Sequence, residues 1–275
     1  MIEHIQLSHG SGQGHALLLN RHILPALEFQ KTETLEDAAV LDIGNGKTVF
    51  TTDSFTVDPL EFNGGDIGKL AACGTLNDLA MMGGVPRCIS LALILEEGLQ
   101  TALLEKMLGS FIRVCRDHNV RLVCGDTKVV EKGKADRLFI NTTGLGVLAG
   151  DIRLSAANAR PGDAVIVSGP VGRHGVAVLA ARKGLGFASE TVSDCAPLVR
   201  ETQELLSAVP ETRLLRDATR GGCAAVLNEI AEDSEVTITV KERSLPVSES
   251  VASACSFLGL EPVQIANEGT FVCVV

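Results

Sequence analysis

The chain has 275 residues, 45% of them hydrophobic and 21% charged, which is enough apolar side chain for a real core and excludes a disordered polymer. At about 100–200 residues per domain, this length suggests two domains or one large one. The 24 Lys and Arg against 34 Asp and Glu give a formal charge of −10; an acidic surface repels phosphate backbones and argues against nucleic acid as a partner.

Taken in chain order, strands and helices alternate. A strand is predicted at 48–52 and a helix at 66–82, between Gly64-Gly65 and Gly83-Gly84. The longest apolar run, Cys88 to Leu95, stops at Glu96-Glu97. It suits a buried strand and is far short of a membrane span. Leu104, Met107, Leu108, Phe111, Ile112 and Cys115 recur with helical spacing and predict a helix over 101–117. Strands are predicted at 121–124 and 138–148. The small, polar stretch 155–163, with Pro161-Gly162, reads as an interdomain connection. Beyond it come a strand at 164–167, helices near 175–183, 197–208 and 220–232, a strand at 236–241, a helix at 248–258 and a last strand at 270–275. The mixed order predicts an α/β or α+β fold in two units, 1–154 and 155–275. Because the chain stops on an apolar strand, the second unit is expected to be incomplete. Phe271 to Val275 would then be an uncovered core strand with an unpaired edge. The eight Cys form no C-x-x-C pair and lie within predicted elements. With no signal-peptide pattern at the start of the chain, this is the usage of a reducing, cytoplasmic compartment.

Several signatures are absent: G-x-x-x-x-G-K-[ST], H-E-x-x-H and G-x-S-x-G. Gly144-Leu-Gly-Val-Leu-Ala149 matches G-x-G-x-x-A, but it lies inside an apolar strand with no helix after it. The informative residues are aspartates. On helix 66–82 the apolar stripe Ile67, Leu70, Ala71, Gly74, Met81 includes Asp78, and a buried carboxylate needs a partner. Asp53 and Asp126 each end an apolar strand, and Asp37 opens an apolar run. Convergence of these carboxylates on one cleft, without Cys or His, points to Mg²⁺ held together with substrate phosphates. For any single Asp, capping of a turn is the alternative. The glycines of His9-Gly-Ser-Gly-Gln-Gly14, among them Gly12 and Gly14, have the composition of a backbone-donor loop. Asp217-Ala-Thr-Arg-Gly-Gly222 precedes a helix and would aim Thr219, Arg220 and backbone N–H groups at an anion. His174, in Gly172-Arg-His-Gly175, is either catalytic or a cap residue. Asn267-Glu268-Gly269 interrupts the approach to the last strand and suits a turn or a site.

Phe50-Thr-Thr-Asp-Ser-Phe-Thr-Val-Asp-Pro59, Gly64-Gly-Asp-Ile-Gly-Lys-Leu-Ala71, Asn77-Asp-Leu-Ala-Met-Met82 and Gly125-Asp-Thr-Lys-Val-Val-Glu-Lys-Gly133 together resemble the HypE family of hydrogenase maturation proteins. So do Ser193-Asp-Cys-Ala-Pro197, Arg216-Asp-Ala-Thr-Arg-Gly-Gly222 and Ala266-Asn-Glu-Gly269. That family belongs to the superfamily of aminoimidazole ribonucleotide synthetase and selenophosphate synthetase, and the resemblance covers essentially the whole chain. It implies two α/β domains, each a mixed sheet covered by helices, a homodimer formed by the N-terminal domains, and an acidic cleft for ATP and Mg²⁺. The positions matching the nucleotide and metal aspartates are Asp37, Asp53, Asp78 and Asp217, with Asp37, Asp78 and Asp217 on the metal. Asp126 and Lys128 match a segment near the phosphates, and Lys128, Glu268 and His174 are the implied catalytic residues. The implied reaction is an ATP-dependent dehydration. HypF carbamoylates a C-terminal cysteine, the carbamoyl oxygen is phosphorylated, and loss of phosphate leaves a thiocyanate. Its cyanide passes to iron on a HypC–HypD complex. The family's Pro-Arg-Ile-Cys type tail has no counterpart here, and Cys273, set in an apolar strand, is expected to be inert core. Two rival readings remain. A selenophosphate synthetase would be expected to carry a reactive Cys near the glycine loop, where this chain has none. A nucleotide-binding scaffold without chemistry is the other.

Overall fold

The computed structural model describes residues 14, 16–17, 20–21, 38–42, 47–148, 150–182 and 189–275. Five strands form the first sheet, in the order β1 (Ala39–Asp42), β2 (Lys47–Phe55), β7 (Leu138–Leu148), β5 (Gly84–Glu96) and β6 (Arg121–Val130). A two-stranded ribbon, β3 (Glu61–Phe62) and β4 (Gly65–Asp66), leads into helix α1 (Ile67–Met81). β7 runs antiparallel to both neighbours, whereas β5 and β6 are parallel. A parallel pair needs a crossover, and α2 (Thr101–Asp117) supplies it.

α1 starts where Asp66 accepts a hydrogen bond from Lys69 N at 2.9 Å, an N-cap that satisfies one of the free amides of the first turn. Thirteen of its fifteen residues are buried. The stripe read from the sequence is therefore a wholly enclosed helix, covered by the first sheet, by α2 and by the second half of the chain. α2 buries only Met107, Phe111, Val114 and Cys115 and shows water its other face. Gly68 lets the two helices meet, since a Cβ there would stand 1.9 Å from the Met107 carbonyl oxygen. Both helices lie on one face of the sheet. On the other face no helix among the described residues covers Phe50, Thr52, Ser54 or Ile94, all exposed.

The second sheet has the order β8 (Val165–Val167), β10 (Phe271–Val274), β9 (Leu214–Asp217), antiparallel throughout. α3 (Arg173–Ala181), α4 (Val199–Ala208), α5 (Gly222–Asp233) and α6 (Glu249–Leu258) complete this half. Ala80 and Met81 at the end of α1 pack with Leu154, Leu198, Leu215, Phe271 and Cys273, a shared apolar cluster that joins the halves.

Two sequence expectations fail here. The last strand is neither uncovered nor an edge. β10 is the central strand, buried along its whole length, because β8 and β9 arrive from earlier in the chain to flank it. The segment 236–241 is not a strand. Val236 and Ile238 pack against the core around α5, but among the described residues no strand pairs with the segment, so its alternation serves packing alone.

Candidate functional site

Period-two alternation divides β2 between two environments. Val49, Thr51 and Phe55 are buried and Asp53 is half-buried toward α1, while Phe50, Thr52 and Ser54 face out. Gly74 of α1 makes room for the inner row. A Cβ there would meet the Phe55 ring at 2.9 Å and Asp53 Oδ2 at 3.6 Å. One turn further on, Asp78 Oδ2 accepts from the Thr51 hydroxyl at 2.8 Å. Burial raises the Asp53 carboxyl above its ordinary value, opposed by the Ser54 N–H at 2.8 Å and by the Arg220 guanidinium.

The second half supplies the facing wall. β9 ends on buried Asp217, and the turn through Thr219 and Arg220 enters α5 at Gly221 and Gly222, both left-handed with φ of 79° and 61°. Only glycine fits at 222, where a Cβ would stand 2.5 Å from the Val263 carbonyl oxygen. From α3, His174 packs its ring edge-on against Phe62, with ring centroids 5.1 Å apart. Its Nδ1 lies 2.9 Å from Ser193 Oγ. Burial holds its pKa down at about 4, against the pull of Asp194.

Glu268 lies on the loop before β10. Burial pushes its carboxyl well above the usual range, and Cys195, Asp217, Asp194 and Asp53 push the same way. Its main chain is pinned on both sides. The Asp194 carboxylate accepts from the N–H groups of Glu268 and Gly269 and from the Thr270 hydroxyl. Asn77 Nδ2 donates to the Glu268 and Ala196 carbonyl oxygens, and Asn77 Oδ1 accepts from Leu198 N at 2.8 Å. Asn77 and Asp194 are the residues that the sequence reading missed. Asn77 sits beside Asp78 on α1, and a polar residue in an otherwise enclosed helix was the available signal.

Asp53, Asp78, Asp217, Arg220, His174 and Glu268 thus border one cleft of about 500 Å³ between the halves, together with Thr51 and Thr219. Asp126 and Lys128 are not in it. Both are exposed on edge strand β6, and Asp126 shares a cross-strand row with Ala92, Asn141 and Ser54 on the outer face of the sheet. Three strand spacings at roughly 4.8 Å put it about 14 Å from β2. Asp53 points to the inner face, so the expected convergence of Asp53 and Asp126 is not found. Asp37 and Gly12 lie outside the described residues. Gly14 falls in helical backbone and does not line the cleft.

Among the described residues no three of His, Cys, Asp and Glu gather into a ready-made metal cage. Asp78 and Asp217 on opposite walls suit Mg²⁺, which takes one or two carboxylates and completes its shell with water and phosphate oxygens. Cys273 is buried, and burial pushes its thiol up to about 11, which makes it inert as expected. No helix among the described residues is long and apolar enough to cross a membrane.

Residues 35–148 match the family "AIR synthase related protein, N-terminal domain", and residues 160–275 match its C-terminal domain. The carbamoyl dehydratase HypE of Azotobacter vinelandii is 44% identical over 272 residues, 98% of this chain and 80% of that one. A crystal structure of a HypE–HypF complex superposes with a TM-score of 0.88 at 47% identity, covering 94% of this chain and 84% of that one. HypE in complex with ATP superposes at 0.81 and 45%, covering 99% and 81%. The chain belongs to the AIR synthase related proteins and, within them, to the HypE family of hydrogenase maturation proteins.

Proposed function

We propose that this protein is an ATP-dependent carbamoyl dehydratase of NiFe-hydrogenase maturation, converting a cysteine S-carboxamide to a thiocyanate that supplies the cyanide ligand of the active-site iron. The observation that carries this reading is the two-walled cleft, in which Asp53, Asp78, Asp217 and Arg220 face the half-buried carboxyl of Glu268. The relatives' names and the ATP complex of a relative support it.

The chemistry asks for three things. An amide oxygen leaves only once it carries phosphate, so the site must hold a triphosphate. Thr219 and Arg220, which line the cleft, and the N-terminal amides of α5 would bind the phosphates. Asp78 and Asp217, with Asp53 beside them, would hold Mg²⁺, which offsets phosphoryl charge during transfer. Finally, the carbamoyl nitrogen must lose both protons, one as its oxygen is phosphorylated and one as phosphate departs and the C≡N bond forms. Glu268 is the base in this reading, since burial and its acidic neighbours raise its proton affinity.

We assign residues 1–154 to nucleotide binding and dimerisation and 155–275 to the second domain, a division supported by two sheets that share no strand. The partners are HypF, a HypC–HypD complex and a second copy of the chain, in the cytoplasm. The open outer face of the first sheet supports the homodimer. The test is to supply a peptide ending in S-carbamoyl cysteine with ATP and Mg²⁺. Mass spectrometry should show loss of one water from the peptide, coupled to phosphate release. ATP hydrolysis without that loss, or no nucleotide use at all, would refute the assignment.

A further inference from the structure

His174 lines the cleft and is a natural candidate for the base, but its neighbours fix a different role. Ser193 is buried, and its Oγ already accepts a hydrogen bond from Cys195 N at 3.1 Å. The other contact of that hydroxyl is His174 Nδ1, at 2.9 Å. A hydroxyl carries one proton, and a buried one that finds no acceptor is costly. Among the described residues the only acceptor offered to Ser193 Oγ is Nδ1, so Nδ1 is the bare nitrogen of the ring and Nε2 carries the hydrogen.

The segment that carries Ser193 cannot drift. Ser193 N donates to the Asn63 carbonyl oxygen at 2.8 Å. Gly64 packs so closely that a Cβ there would meet Ser193 N at 2.9 Å. On the next residue, the Asp194 carboxylate is tied to the loop 268–270. Nε2 has no protein partner among the described residues, and it is not one of the sealed polar atoms lacking one. It therefore opens onto accessible space, and the space that the ring lines is the cleft.

We propose that Ser193 is a positioning residue that holds His174 as the Nε2–H tautomer, so that His174 meets the substrate as a hydrogen-bond donor to a carbamoyl or phosphoryl oxygen and not as the base. The identity of that oxygen rests on the dehydratase reading, whereas the tautomer does not. Burial keeps the ring neutral despite Asp194, which a donor of this kind needs, since an imidazolium would donate from Nδ1 as well and leave the Ser193 hydroxyl proton without an acceptor. The removal of protons then falls to Glu268.

Two measurements test this on the whole chain. Long-range ¹H–¹⁵N NMR of histidine-labelled protein, with His174 assigned by the loss of its signals in His174→Gln, should show the neutral Nε2–H form at neutral pH. Ser193→Ala should lose that single tautomer, and Ser193→Thr should keep it. In turnover of the S-carbamoyl peptide, His174→Gln places an amide N–H near the Nε2 position and His174→Asn places one near Nδ1. The Gln variant should keep a kcat about 10- to 100-fold above that of the Asn variant, the worth of one hydrogen bond to a charged oxygen, with little difference in the KM for ATP. An Nδ1–H or doubly protonated ring in the unmodified protein overturns the proposal, as does an Asn variant equal to the Gln variant. Full turnover by Glu268→Gln would instead defeat the assignment of the base and leave the tautomer result standing.

Discussion

Asn77→Ala isolates the bond set that ties the two halves together at the site. The side chain is 1% exposed and makes three hydrogen bonds, to Ala196 O at 3.1 Å, Glu268 O at 3.3 Å and Leu198 N at 2.8 Å. After truncation the Glu268 carbonyl oxygen keeps Ala196 N at 3.4 Å, whereas Ala196 O and Leu198 N lose their partners inside the protein. At about 1–3 kcal/mol for each buried group left unsatisfied, the loss comes to about 3 kcal/mol. For a chain of this size that is a fall in Tm of about 6–12 °C. Asn228 is the comparison, because its single bond to Ala224 O lies on an exposed face of α5. Asn228→Ala should cost under about 0.5 kcal/mol. Scanning calorimetry of both variants reads the difference. A fall of less than about 2 °C for Asn77→Ala would mean that water or a backbone shift replaces the lost bonds, and the reasoning from buried unsatisfied groups would fail.

Other outcomes follow from the same geometry. Asp78→Asn keeps an acceptor for the Thr51 hydroxyl but removes the charge, and should weaken Mg·ATP binding about tenfold or more while leaving Tm nearly unchanged; unchanged affinity by titration calorimetry would sink the metal-ligand role. For His174 the folded pKa of about 4 lies below the unfolded value of 6.5, so the stability it contributes is present above 6.5 and is lost as pH falls toward 4. The loss is about 3 kcal/mol, and His174→Gln should show an acid limb shallower by that amount in denaturant titrations; parallel limbs would contradict a neutral buried ring. Light scattering should give a dimer mass, and Phe50→Asp, on the open sheet face, should shift it to the monomer. A monomer before mutation would refute the dimer.

Both helices of the first half were legible in the sequence, α2 from its two environments and α1 from an apolar run bracketed by glycine pairs. α2 has one wet and one dry face, and its spacing predicts 101–117, the bounds observed. α1 is dry all round, so its sequence carries no stripe. Reading one into it placed Asp78 among buried apolar residues, when it faces a cleft. Asp53 was legible because a carboxylate at the end of an apolar run has few structural excuses, whereas the role of Asp217 came from the family resemblance alone. Asp126 met the same criterion and lies elsewhere, because the face on which a strand residue points depends on register, and register is set by partners far away in sequence. The strand expected at 236–241 failed for a similar reason, since alternation reports a half-buried segment but not the presence of a neighbour to pair with.

The residues that were not legible share a property. Asn77 and Asp194 act through main-chain groups of other segments, where a hydrogen bond to a backbone group leaves no trace in the residue that owns it, and Ser193 acts through a histidine on a separate helix. Yet these bonds decide what the site can do. Residues 193–198 hand Ser193 to His174 on α3, Asp194 to the loop carrying Glu268, and Ala196 and Leu198 to Asn77 on α1. One short segment therefore fixes His174 and the loop that carries Glu268, and references both to the helix that carries Asp78. The cleft spans two sheets that share no strand, so its opposing walls are held by this strap, by the apolar cluster around Met81 and by the packing of Val178, Cys195 and His174 against the first half. Catalytic geometry across such a boundary has to be set by specific polar bonds, because apolar packing tolerates sliding and directional hydrogen bonds do not.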